Sequence, residues 1–256
     1  MDTQQSPLYR VEVLKGRVAR GALNVVMPER ELETIAFLAM HDAPADLATL
    51  GAALYPDVEP ARSANSLKVF MHRARRRTFA GLILHGPDGY RLGEDVDVDV
   101  RDVVAAVRKL SCRLSTLNEL ESERLEVLAA RLRAPRPGRL LRWPWFAPYD
   151  ANLTRTGADV CSMMAWEALR SHRYDEALRL ARTRLDEDPC DERAREIAIH
   201  AYAALGQPAA AIAEFQHYSD LLAKELGAEP AIELQRIFRE ACTHPAQTMP
   251  VWESAV

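Results

Sequence analysis

Residues 61–79 read ARSANSLKVFMHRARRRTF and hold six Lys or Arg and no acidic residue, in a 256-residue chain whose formal net charge is −4. Cations, one amide (Asn65) and one aliphatic side chain (Val69) at helical spacing are the groups that read a DNA major groove. Arg forks onto guanine, Asn onto adenine, an aliphatic group touches a thymine methyl, and the remaining cations hold phosphates. An α-helix advances about 100° per residue, so Leu67, Met71 and Ala74 fall on one apolar stripe. Arg62, Asn65, Val69, His72, Arg73 and Arg76 then face the other way, with Lys68 and Arg75 along one edge and Ser66 and Arg77 along the other. A run of Arg also suits a merely solvated helix face. The neighbouring elements decide between the two.

Upstream, YRVEVL and ALNVVM are short β-rich runs parted by Gly16 and Gly21, which predicts a small N-terminal sheet of two or three strands. After Pro28 the period changes. ERELETIAFLAMH (29–41) and DLATLGAALY (46–55) carry apolar residues at helical spacing, and Pro56 stops the second. The basic helix is third, over 60–78. GLILHGPDGYRLG then gives a strand, a Pro-Asp-Gly turn and a second strand. A sheet, three short helices and a terminal hairpin make an α+β winged helix-turn-helix, and the third helix occupies the place of a recognition helix.

Beyond Asp95 the pattern is helical, which predicts an all-α second domain. The expected division is 8–95 and 96–245. GEDVDVDVRDV (93–103) reads as an extended connector with Val packed and Asp solvated. APRPGRLLRWPWFAPYD interrupts the helices with four prolines. Its Trp143 and Trp145 are placed to cover the mouth of the helical domain or to clamp it onto the DNA-binding half. Further on, His172–Leu178 aligns with Gly206–Ile212 at an offset of 34 residues, the tetratricopeptide period, with Pro189 ending one helix and Asp191 capping the next. Trp166, Tyr174, Tyr202, Phe215 and Tyr218 read as packing residues between such hairpins.

No catalytic constellation stands out, so an enzyme is not expected. There is no GxSxG, HExxH or usable Cys-His pair, and the seven His are scattered. The four Cys lie far apart, without zinc spacing, so neither metal nor cofactor is expected. No signal-like or membrane-spanning run is present, so the cytoplasm is the expected location. Weak overall acidity argues against coating nucleic acid at large, and any DNA contact must be local.

With the elements placed, ALYPDVEPARSANSLKVFMHRARRR, GYRLGEDVDVDVRDV and YDEALRLARTRLDEDPCDERAREIAIHAYAALGQPAAAIAEFQHYSDLLAKELGAEP, in that order, resemble the SARP family. These are pathway-specific antibiotic regulators of actinomycetes, whose relatives also carry a bacterial transcriptional activator domain. The resemblance implies an OmpR-like winged helix fused to a tetratricopeptide-like domain, an activator that binds direct repeats in double-stranded promoter DNA as a homodimer and recruits RNA polymerase. It implies that Asn65, Ser66, Lys68, Val69, His72, Arg73 and Arg76 face DNA, with Arg62 and Arg77 on the same helix and Tyr90 and Arg91 in the wing. Gly89 is expected to let the two wing strands approach. The chain departs from the family at Tyr55, where Trp is usual, and at the acidic wing tip His85-Gly86-Pro87-Asp88. Neither a receiver domain nor a GxxxxGK[ST] loop is expected. Two other readings compete: a protein-protein adaptor whose winged helix no longer binds DNA, and a regulator whose helical domain senses a small molecule.

Overall fold

Strand-forming residues give way to helix-forming ones at Pro28, and again at Asp99. In the computed structural model, which describes residues 9–41, 43–77 and 81–243 with the side chains of 74–77, 241 and 243 left aside, these two points bracket the winged helix. Three strands come first: β1 (Tyr9–Glu12), β2 (Arg17–Arg20) and β3 (Leu23–Val25). Helices α1 (Glu29–Met40), α2 (Leu47–Leu54) and α3 (Pro60–Arg77) follow, then the hairpin of β4 (Ile83–Gly86) and β5 (Gly89–Leu92). The expected third helix end at Thr78 lies outside the described residues.

The connector 93–103 corrects the reading above. Its first half is a strand, β6 (Val96–Val98), which pairs parallel to β1 and completes a four-stranded sheet in the order β3-β2-β1-β6. Alternating Val and Asp suits such a strand, since successive side chains point to opposite faces. Asp99 is not solvated: it is 1% exposed, opens helix α4 (Asp99–Ser111), and its Oδ1 accepts the Val13 backbone N–H at 2.8 Å. Burial raises the pKa of this carboxyl above its ordinary value, against the backbone hydrogen bonds from Val13 and Val100 that favour the charged form.

Gly89 pairs with Gly86 of the other wing strand and has a second close neighbour as well. Its φ is +124°, and a Cβ there would meet the Ala45 carbonyl oxygen at 2.5 Å. The close approach is between β5 and the chain entering α2, where Ala45 and Tyr90 exchange two backbone hydrogen bonds of 2.8 Å. The wing is thereby tied to the start of the helix-turn-helix.

The chain divides into two compact units. One unit takes Met1–Arg108 together with Arg131–Thr154; the other takes Lys109–Ala130 and Arg155–Val256. The proline-rich segment therefore belongs with the winged helix. It forms two short 3₁₀ turns, Leu140–Arg142 and Pro144–Phe146, which bury Leu140, Trp143 and Phe146. Trp145 stands edge-on to Phe37 of α1 at 5.2 Å and donates its indole N–H to Glu33 at 3.3 Å, while Arg142 pairs with Glu29 at 2.6 Å. These contacts seat the tryptophan segment on α1, a place that differs from both roles expected for it.

The second unit draws on α5 (Glu119–Arg133), α6 (Ala147–Arg170), α7 (Tyr174–Glu187), α8 (Glu192–Ala204), α9 (Pro208–Leu226) and α10 (Ile232–Thr243). The 34-residue offset is visible in its hydrogen bonds. Arg173 N–H donates to Ala168 O and His172 N–H to Leu169 O; 34 residues on, Gln207 N–H donates to Tyr202 O and Gly206 N–H to Ala203 O. Both corners are Schellman caps, and both put the pivot residue in the left-handed region, His172 at φ 59° and Gly206 at φ 70°. Asp191 caps α8 by accepting the Ala194 N–H at 3.0 Å.

Two substitutions test these backbone constraints by urea denaturation. Gly89→Ala should cost about 2–3 kcal/mol, because it combines a left-handed φ with a collision against backbone. Gly206→Ala meets nothing within 4 Å and should cost only about 1–2 kcal/mol from the dihedral alone. Equal costs would refute the Ala45 contact.

Candidate nucleic-acid interface

The rotation of α3 is set by what it buries. Leu67 and Met71 are both 0% exposed and Ser63 is buried beside them, where its hydroxyl donates to Pro60 O at 3.0 Å. Helix α2 comes so close that a Cβ on Gly51 would meet Ser63 Oγ at 2.8 Å. A glycine inside a helix costs about 1 kcal/mol relative to Ala, and here it permits the helix-turn-helix pair to pack.

The face left outside carries Arg62, Asn65, Ser66, Lys68, Val69, His72 and Arg73, every one exposed. Val69 is 52% exposed although it is aliphatic. The side chains of Ala74, Arg76 and Arg77 lie outside the described residues. Among the described residues, none forms an ion pair or hydrogen bond with the side chains of Arg62, Lys68 or Arg73. Elsewhere in the same unit cations have partners: Arg17 with Glu12, Arg30 with Glu33 at 2.7 Å, Arg136 with Asp150 at 2.7 Å. An exposed helix face with an amide, a valine and uncompensated cations is chemically equipped for base edges and phosphates.

The wing is built differently from this face. Tyr90, grouped above with the DNA-facing residues, is 7% exposed and lies at the junction with Ala45, with His85 tilted against its ring at 4.5 Å. It positions the wing and offers little surface for contact. Arg91 is exposed but pairs with Glu94 at 3.3 Å, and Asp88 stands exposed at the tip. The burial of Tyr90 depends on Ala45, far from it in the chain, and no local pattern signals it.

In the helical unit the aromatic residues pack. Tyr202 and Tyr218 are buried, each under an Arg, Arg182 and Arg195 respectively, and Phe215 stacks on Phe238 at 4.2 Å. Trp166 and Tyr174 are half-buried, and the Tyr174 hydroxyl lies 2.6 Å from His172 Nδ1. Among the described residues no group of three His, Cys, Asp or Glu is arranged to hold a metal ion, and no helix is long and apolar enough to cross a membrane.

Residues 133–241 match the family described as the bacterial transcriptional activator domain. Among solved structures the chain is similar to Mycobacterium tuberculosis EmbR, determined in complex with a low-affinity phosphopeptide. The TM-score is 0.73 and the identity 16%, over 90% of this chain and 64% of that one. The likeness establishes a shared fold, in which this chain spans less than two thirds of the EmbR chain. No curated protein sequence matches.

Within the matched residues a half-buried carboxyl and a buried imidazole make stability depend on pH. Burial and the neighbouring Glu233 push Glu196 of α8 up from 4.5 to about 7, and burial pulls His200, one turn on, down from 6.5 to about 4. Glu196 holds its proton in the native state, so its contribution is complete below about 4.5 and falls as pH rises to about 7. His200 acts in the opposite sense: its contribution is complete above about 6.5 and is lost as pH falls towards about 4. Glu196→Gln should therefore flatten the decline in melting temperature between about pH 5 and 7. Parallel pH profiles for the two proteins would contradict a protonated Glu196.

Proposed function

We propose, from the match of residues 133–241 to the bacterial transcriptional activator domain family, that this chain is a transcription regulator that reads double-stranded promoter DNA by laying α3 in the major groove. The observation that carries the reading is the set of exposed, unpartnered cations of α3. Arg62, Lys68 and Arg73 lie on one face with Asn65 and Val69, and no carboxylate among the described residues neutralises them. A helix held by Leu67 and Met71 presents this face outward, and phosphates supply the missing counter-charge.

In this reading the hairpin steadies the helix-turn-helix through Ala45 and takes little part in binding, since its tip is acidic and its one exposed Arg is paired. The stacked hairpins of the helical unit serve dimerisation and contact with RNA polymerase, a role suited to the surfaces that such stacks create. The protein works as an activator, a homodimer on DNA, in the cytoplasm and without catalysis.

The test is binding of the purified chain to a labelled fragment from upstream of its own gene, against a scrambled competitor, across a salt series. Specific binding is expected, with log affinity falling against log salt at roughly 0.9 per phosphate contacted. Arg73→Ala should weaken it by about 1–3 kcal/mol if the side chain reads a base, and Lys68→Ala should lower the salt slope by about 1 if it holds a phosphate. Unchanged affinity in both variants would remove α3 from the interface and favour the adaptor reading.

A further inference from the structure

Val69 is the one feature of the α3 face that phosphate binding does not explain. A valine 52% exposed in the middle of a cationic, amide-bearing face gains nothing from water and nothing from phosphate. Its neighbours along the helix narrow what it meets. Asn65 lies four residues before it and Arg73 four after, each step advancing about 6 Å along the axis and about 40° around it, so the three form one shallow row. Asn65 and Arg73 are both exposed, and among the described residues neither side chain has a hydrogen-bond partner. A row of amide, methyl groups and guanidinium matches, in a major groove, an adenine edge, the 5-methyl group of a pyrimidine and a guanine edge.

We infer that Val69 is a specificity-determining residue that reads the 5-methyl group of a thymine, flanked by an adenine on the Asn65 side and a guanine on the Arg73 side. The inference rests on the α3 reading proposed above and adds to it a chemical identity for the central base. With base pairs rising about 3.4 Å, the two flanking contacts fall about two base pairs from the thymine on either side. Thymine is the natural source of the methyl group; 5-methylcytosine presents the same group at the same ring position and separates methyl recognition from recognition of the thymine O4.

The experiment uses the full chain and the duplex it selects from a random DNA pool. The selected thymine is replaced by uracil, which removes one methyl group and leaves every hydrogen-bonding atom in place. Wild-type affinity should fall about three- to fivefold, the value of burying one methyl group. In Val69→Ala, whose side chain is on the surface and whose fold is checked by circular dichroism, the thymine-to-uracil ratio should shrink to less than about twofold. Replacing the thymine by cytosine and then by 5-methylcytosine should recover binding by a similar three- to fivefold factor in the wild type. Specific binding with no difference between thymine and uracil, or an equal difference in Val69→Ala, overturns the role of Val69 and leaves the DNA-reading function standing. Failure to select any sequence removes that function, and the inference with it.

Discussion

Everything proposed for α3 depends on the burial of Leu67 and Met71. They lie one turn apart on the helix and both are fully enclosed, so the helix cannot rotate without exposing one of them. Six cations between Arg62 and Arg77 repel one another at three- and four-residue spacing, which disfavours the helix when it stands alone. Burial of two large side chains, about 1.5–3 kcal/mol each, and the close seat against Gly51 of α2 work against that repulsion. The same contact that makes the helix stable therefore decides which residues point outward.

The frame holding α2 and α3 is tied at its edges by long-range contacts. Strand β6 returns after the hairpin to pair with β1, and Asp99 then fastens the start of α4 to Val13. Residues 131–154 rejoin this unit, seating Trp145 against Phe37 and Arg142 against Glu29. A buried carboxylate such as Asp99 is costly unless its oxygens are satisfied, and the Val13 N–H satisfies one. The winged helix is thus anchored through its sheet and through α1, leaving the α2–α3 pair to present its surface.

What could be read from the sequence follows from the range of the interactions involved. Helices α1 and α2 and the start of α3 emerge within a residue of their expected limits because helical periodicity, Pro28, Asp46 and Pro56 are local signals. The exposed face of α3 was legible for the same reason. The 34-residue repeat was legible because two Schellman corners impose the same backbone demand twice, even though one pivot is His172 and the other Gly206. The misreadings share a different cause. Asp99, Tyr90 and the tryptophan segment each owe their environment to a partner more than 40 residues away, and β6 is a strand only because β1 stands beside it.

The separation of charge along the chain bears on how such a regulator distinguishes its site. The chain is acidic, at −4, although α3 concentrates six cations, so the surface outside that helix is more negative still. Where a broad basic surface would hold DNA in many orientations, a single cationic strip set in an acidic surround favours the one orientation that brings α3 to the groove and repels the others. In the hairpin Asp88 stands exposed at the tip and Arg91 is neutralised by Glu94, so β4 and β5 add no free Lys or Arg to the positive charge of α3. On the reading proposed above, affinity without sequence preference is kept low, and discrimination passes to the few side chains on α3 that can touch a base. On that reading Asn65, Val69 and Arg73 carry the discrimination, since they lie exposed in one row on the face that the burial of Leu67 and Met71 turns outward.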